Sequence, residues 1–378
     1  MKFFHLSDLH LGKVVHGFSM LEEQEHALNL VLTLADREQP DGLLIAGDVF
    51  DRSVAPAQAL RLLDDFLVAL SQRGIPAFLI AGNHDSPERL AFAASLMAPS
   101  GIHIAPQYDG QVHRHTLRDA HGPVDIHLLP FIRPAQVKKA FPEAEINTWT
   151  DAVRTALSPV QLDPERRHVL VAHQFVTGGQ TSESEEFSVG GADNVDAAAF
   201  IGFDYVALGH LHRPQEMVAP HIRYAGSPLK YSFSEAGHTK SLTVVELGAK
   251  GELAVRELPL PPLRDLVDLR GTYDQLASRA FYETINRDNY VRITLTDEMD
   301  QPNAMQKLRL IYPLLMRLEY DNLRVRHQGS LDAIEDLAAL SPLDLFARLY
   351  EAQNGQPLNA EQRDYLQRAV SRVWEVAP

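Results

Sequence analysis

Lys2-Phe3-Phe4-His5-Leu6-Ser7-Asp8-Leu9-His10 is a short, largely apolar run that ends on a carboxylate and an imidazole two residues apart. A run this short, with no helical period, reads as a buried strand at residues 2–6. Asp8 and His10 lie just beyond it, at i and i+2, where both side chains can aim into one cleft. The same pattern recurs: apolar runs at 42–46, 77–81, 168–172 and 204–208 lead into Gly47-Asp48, Gly82-Asn83-His84-Asp85, Ala172-His173-Gln174 and Gly209-His210-Leu211-His212. A further strand is expected at 125–129. Helix-period stretches at 21–37 and 56–70 lie between them, and Pro56 suits the first helical position, where no backbone donor is needed. The alternation predicts an α/β sandwich with polar loops at its strand ends, where open α/β sheets build sites.

The five loops carry carboxylates, an amide and imidazoles, but no thiolate. Such ligands suit Mn, Fe, Zn or Mg, and the complete lack of cysteine leans away from structural zinc. One carboxylate, Asp48, is placed to bridge two cations. Metals about 3.5–4 Å apart clamp a scissile phosphate and lower the pKa of a water between them. A lone Asp-x-His or His-x-His is more often a turn or a satisfied loop histidine; five motifs in series are not explained that way.

Composition narrows the class. At 378 residues the chain exceeds one ordinary core, so two units or one with appendages are expected. With no cysteine, disulfides, zinc ribbons and thiol catalysis are excluded. The start turns polar too soon for a signal peptide, and no run of about 18 apolar residues follows, which predicts a cytoplasmic protein. The formal charge of -15 argues against gripping nucleic acid by counterion release alone. Bound cations, a locally basic groove or a partner protein would have to offset it. Lys13, Arg52, Arg89 and Arg213 stand beside the motifs, where contact with DNA phosphates and plain ion pairing with neighbours are equally open readings. The acidic stretch 181–187, with Glu183, Glu185 and Glu186, reads most simply as a solvated loop, with a rim of the cleft as the alternative, since it lies between two of the motifs. Histidines outside the series read as ordinary surface or packed imidazoles.

Farther on, runs at 241–247 and 252–258 form a hairpin, and Pro259-Leu260-Pro261-Pro262 marks the main boundary. Beyond it, strands at 265–269, 290–295 and 314–319, with helices near Tyr273 and Ala304, predict a small α+β module. Two amphipathic helices close the chain. The first starts at Ser341-Pro342 and carries Leu343, Phe346, Leu349 and Tyr350; the second is capped by Asn359 and Gln362 and carries Leu366, Val370, Val373 and Trp374. Their apolar faces serve either the protein's own core or a docking partner.

The D-x-H, GD, GNHD, H and GHxH series, in this order, resembles the calcineurin-like metallophosphoesterase superfamily. Longer strings, 6–13, 47–51, 82–90, 205–215, 224–229 and 230–235, resemble its SbcD family, nuclease subunits of SbcC-SbcD complexes. The resemblance covers about the first 260 residues strongly. It implies a four-layer metallophosphoesterase sandwich (α/β, two mixed β-sheets flanked by helices) at 1–258, an α+β capping domain contacting DNA at 263–330 and a C-terminal helical segment at 331–378. It further implies one metal on Asp8, His10, Asp48 and His212, and a second on Asp48, Asn83, His173 and His210. His84 would be general acid or charge stabiliser, with Asp85 orienting its ring. Asp51 stands where archaeal and eukaryotic relatives carry a second catalytic histidine. Three roles stay open for it: bracing a ligand, rotating the nucleotide, or a hydrogen bond to a neighbouring loop.

The implied activity is two-metal 3'-5' exonuclease and endonuclease cleavage of DNA ends and hairpins in repair and recombination. The cations would be Mn2+ in the first place, with Fe2+ or Mg2+ as alternatives. The implied partners are DNA, an SbcC-like coiled-coil ATPase bound through the C-terminal helices, and a second copy within a heterotetramer. That copy would dock through the helices after the GD and GNHD motifs. ATP falls to the partner, since the chain has no G-x-x-x-x-G-K-[ST] loop. A phosphodiesterase of small nucleotides or phosphate esters is the first rival, and a non-catalytic DNA-end scaffold the second.

Overall fold

Successive side chains of a strand point to opposite faces, and Phe3 and Phe4 are both fully buried because each face meets a core. Phe4 joins Leu43, Ile45 and Leu79 against helices Leu21–Glu38 and Ala57–Gln72. Phe3 joins Leu44, Phe78 and Ile80 in a core shared with Val124, Ile126, Val169, Val171 and Ala207 of a second sheet. That sheet's outer face packs Leu129, Leu170, Val206 and Leu208 with Val137, Ala152, Val153 and Ala156 of helices Pro134–Ala140 and Trp149–Leu157. The layers therefore run helix, sheet, sheet, helix. The computed structural model describes residues 1–185, 193–322, 342–354 and 356–374.

Each large sheet has six strands. In the first the order is Leu253–Pro259, Ser241–Leu247, Lys2–Leu6, Gly42–Ala46, Ala77–Ile80, Ile102–Ile104. The last four are mutually parallel, and Ser241–Leu247 runs antiparallel to both of its neighbours. In the second the order is Gln215–Glu216, Ile222–Tyr224, Tyr205–Gly209, Arg167–His173, Gly122–Leu129, His113–Asp119, with the middle four parallel. All five motif loops leave the carboxyl ends of parallel strands.

Pro56 corrects a detail. It sits one place before the helix, with extended ψ of 151°, and its carbonyl accepts from Ala59 and Leu60. The hairpin's second strand likewise runs through Pro259 instead of ending before it.

The chain divides into units Met1–Asp265 and Leu266–Pro378. In the second, strands Leu266–Gly271, Tyr290–Leu295 and Leu315–Tyr320 form a parallel sheet around Leu276, Val291, Ile293, Leu308 and Tyr312. Helices Pro342–Asn354 and Ala360–Trp374 follow. The second is capped reciprocally: Asn359 N–H donates to Gln362 Oε1 at 3.0 Å, and Gln362 N–H to Asn359 Oδ1 at 2.8 Å. Ser341, the segment 323–330 of the expected capping module, and the side chains of Val370, Val373 and Trp374 lie outside the described residues. Among the described residues no helix is long and apolar enough to cross a membrane.

Candidate metal centre

Neighbouring parallel strands end in register, and their loops stay paired beyond the sheet. Asp8 N–H donates to Gly47 O at 3.0 Å, His10 N–H to Asp48 O at 2.9 Å and Leu11 N–H to Val49 O at 2.9 Å. The turns that do this are strained: Asp8, His10, Asp48 and His210 have φ of 52°, 44°, 49° and 110°. Left-handed non-glycine residues cost about 1–3 kcal/mol each and persist only where the surroundings over-determine them. Here the loops are also locked by close approach. A Cβ on Gly82 would overlap the Asp48 carboxylate, and one on Gly209 would overlap the Ala46 carbonyl.

Asp48, 2% exposed, is the centre. Its Oδ2 lies 3.4 Å from His173 Nε2, 3.7 Å from His10 Nε2 and 3.9 Å from His84 Nε2, while Oδ1 accepts the His84 N–H at 2.9 Å. On one side Asp8, His10 and His212 present ligand atoms within 4.8 Å of one another, and His10 Nε2 faces His212 Nε2 at 3.1 Å. On the other, Asn83 Oδ1 lies 3.0 Å from His173 Nε2 and 3.0 Å from His210 Nδ1. The structure thus gathers Asp8, His10, Asp48, Asn83, His84, His173, His210 and His212 from five separate loops.

This donor set fits cations. His173 Nδ1–H donates to the Ala46 carbonyl at 2.8 Å, so a neutral ring turns its Nε2 lone pair toward two oxygens, Asn83 Oδ1 and Asp48 Oδ2. Lone pairs crowded on lone pairs repel unless a positive charge lies among them. The surrounding charge points the same way: burial opposes a charged His173, but Asp48 and Asp8 outweigh it and push the ring up to about 9. Burial, with Asp48 beside it, pushes Asp8 up to about 8. Among the described residues, His10 Nδ1 is buried without a hydrogen-bond partner, with Asp51 Oδ1 3.6 Å away.

His84 and its neighbours correct one expectation. Asp85 does not orient the His84 ring; its Oδ2 accepts from Val49 N at 3.0 Å and Gly82 N at 2.9 Å, and its Oδ1 from Phe50 N at 2.8 Å. Both oxygens are committed to riveting the GNHD loop to the GD loop. The His84 ring is instead oriented by Asp51, whose backbone carbonyl lies 3.0 Å from Nδ1. The Asp51 side chain reaches Lys13 Nζ on the neighbouring loop at 2.7 Å. Arg213 contacts Gln180, Arg52 is 79% exposed with Asp51 at 3.7 Å, and Arg89 is exposed.

Sequence reasoning missed the surround of His212. The segment 181–185 is not simply solvated: Ser184 Oγ lies 2.7 Å from His212 Nδ1, and Glu185 Oε1 accepts the His212 N–H at 2.5 Å. Glu186 and Phe187 lie outside the described residues. Tyr231 packs its ring 5.6 Å from that of His10 and 5.9 Å from that of His212, and its hydroxyl donates to Leu9 O. Glu235 and Lys240 are buried beside them. Some signal existed, since the 230–235 string shared the resemblance while offering no ligand.

The calcineurin-like phosphoesterase family matches residues 1–214. The SbcD C-terminal domain, described as the type 5 capsule protein repressor C-terminal domain, matches residues 262–354. The chain is 30% identical to the SbcD component of the SbcCD nuclease of Staphylococcus epidermidis over 379 residues, covering 99% of each chain. Among solved structures, a dimetal phosphatase of Danio rerio aligns with 69% of this chain and 98% of its own, at 10% identity and a TM-score of 0.42. A Thermus thermophilus protein aligns with 68% and 98%, at 13% identity and a TM-score of 0.38.

Proposed function

The chain belongs to the calcineurin-like phosphoesterases and, within them, to the SbcD nuclease family, and from that membership we propose a two-metal DNA nuclease working with an SbcC-like ATPase. The observation that carries the reading is the convergence of eight polar side chains from five strand ends, with the buried carboxylate of Asp48 at their centre and the other seven around it. One cation would be held by Asp8, His10, Asp48 and His212, the other by Asp48, Asn83, His173 and His210. Two divalent cations, when bound, supply Lewis-acid polarisation of a phosphodiester and acidify water at neutral pH. Mn2+ suits this mixed oxygen and imidazole set, as do Fe2+ and Mg2+.

The chain's own groups do the rest. His84, with Nδ1–H donated to the Asp51 carbonyl, presents Nε2 at the rim of the site, where it holds a proton for the leaving oxygen or stabilises charge on the phosphate. Asp85 keeps His84 in place through the backbone. Lys13 pairs with Asp51, and exposed Arg52 and Arg89 would meet DNA phosphates.

Residues 1–258 would form the nuclease domain, 263–330 the capping domain that contacts DNA, and 331–378 the segment that docks on the ATPase. Exposed Phe346 and Tyr365 on the last two helices support that docking. Exposed Val54 and Leu60 after the GD motif, and Phe92 and Leu96 after GNHD, support a homodimer within a heterotetramer. The setting is the cytoplasm, in repair and recombination of DNA.

The charge of -15 favours a second reading, hydrolysis of small phosphate esters. Purified protein with Mn2+, assayed on a labelled DNA hairpin and on bis-p-nitrophenyl phosphate, separates the two. The nuclease reading predicts cleavage of the hairpin. Turnover of the small ester alone, even with the ATPase partner present, contradicts it.

A further inference from the structure

His212 is gripped at three polar atoms by groups that the family resemblance leaves without a role. Its N–H donates to Glu185 Oε1 at 2.5 Å, its carbonyl accepts from Lys240 Nζ at 2.8 Å, and Nδ1 lies 2.7 Å from Ser184 Oγ. Ser184 Oγ lies in turn 2.5 Å from Glu235 Oε1.

The direction of the protons follows from Glu235. Its carboxylate is fully buried, and the groups around it are donors: Lys240 Nζ at 2.5 Å on Oε2, and Ser232 Oγ at 3.1 Å and Tyr231 N at 3.3 Å on Oε1. The three protons of Lys240 are committed to Glu235, to Ser227 Oγ at 2.8 Å and to the His212 carbonyl. A carboxylate paired in this way is ionised and only accepts. The single Ser184 hydroxyl proton therefore goes to Glu235. Ser184 must then meet His212 as an acceptor, which puts the ring proton on Nδ1 and leaves a lone pair on Nε2. Nε2 is the atom that faces His10 Nε2 across 3.1 Å.

From this chain of donors we infer that Ser184 and Glu235, anchored by Lys240, are positioning residues that fix the Nδ1-protonated tautomer of His212 and so make its Nε2 a ready ligand for the first cation. The inference rests on the two-metal reading. Partners behind a ligand histidine fix its tautomer and raise its basicity, and losing one lowers metal affinity by roughly 10- to 100-fold. Because Ser184 lies in the 181–185 segment, that loop is part of the ligand apparatus.

The first test uses the full chain, metal-free and labelled with 15N-histidine, with the His212 signals assigned by their loss in His212→Asn. Long-range 1H-15N spectra should show His212 protonated at Nδ1; the Nε2 tautomer in the wild-type protein overturns the inference. The second is calorimetric titration with Mn2+. Ser184→Ala should weaken one of two binding events by roughly 10- to 100-fold, leave the other unchanged, and be largely restored by Ser184→Thr. Two wild-type affinities in Ser184→Ala defeat the positioning role. A wild-type protein that never takes up two ions defeats the two-metal reading instead, and the tautomer spectrum still decides the role of Ser184.

Discussion

Single residues carry two kinds of information here. The residues that converge on Asp48 were legible because their chemistry is local: an Asp or His directly after a buried apolar run has few structural uses, and five such cases in order leave little else. Residues that hold those side chains in place were not legible. Ser184 meets His212 from 28 positions away, and nothing in local spacing announces the contact. Asp85 shows the converse error, since adjacency to His84 suggested contact, whereas the turn sends the two side chains to different partners. His5 is another residue whose role comes only from folding. It is buried between the Tyr205 hydroxyl at 2.9 Å and the Leu208 carbonyl at 3.2 Å. Burial, aided by the charge of Arg223, brings its pKa down to about 3 from an ordinary 6.5. The unfolded chain therefore binds the proton more readily. The stability tied to a neutral His5 is present above pH 6.5 and falls as pH drops toward 3, by about 1.4 kcal/mol per pH unit within that window. Urea unfolding at pH values of about 7.5, 6 and 5 should show a shallower pH dependence in His5→Asn than in the wild type, and equal slopes would remove His5 as the cause.

Elements were legible where both faces are buried. The strands at 2–6 and 42–46 match Lys2–Leu6 and Gly42–Ala46 because continuous apolar runs admit only one placement between two layers. His113–Asp119 escaped notice because it is an edge strand, with alternate residues only partly covered and a sequence rich in His and Arg. Ile222–Tyr224 escaped because three residues carry no period. The closing helices were legible through their helical period and, for the second, through its Asn359–Gln362 cap, and they carry a prediction. Phe346 is 48% and Tyr365 71% exposed, large apolar and aromatic surfaces that a docking partner would cover. Phe346→Asp and Tyr365→Asp should each weaken binding to a purified SbcC-like ATPase by at least about tenfold while leaving bis-p-nitrophenyl phosphate hydrolysis unchanged. Wild-type affinity in both variants, read by calorimetry, would move the docking site elsewhere.

At the scale of the whole molecule, two facts pull in opposite directions: a chain of net charge -15 and a proposed polyanionic substrate. The site resolves them if it is the place where positive charge is imported. Buried Asp8 and Asp48, with imidazoles turned toward them, form a pocket of oxygen and nitrogen atoms suited to holding cations. Sequence order could not give this directly, because the meeting of residues 8 and 212 depends on two sheets stacking with their carboxyl ends on one side. The most direct measurement is anomalous diffraction at the manganese edge from crystals soaked in Mn2+. Two peaks flanking the Asp48 carboxylate are predicted, one within bonding distance of Asp8, His10 and His212 and the other of Asn83, His173 and His210. No peak at Asp48, or a single ion that remains single at saturating Mn2+, would contradict the account.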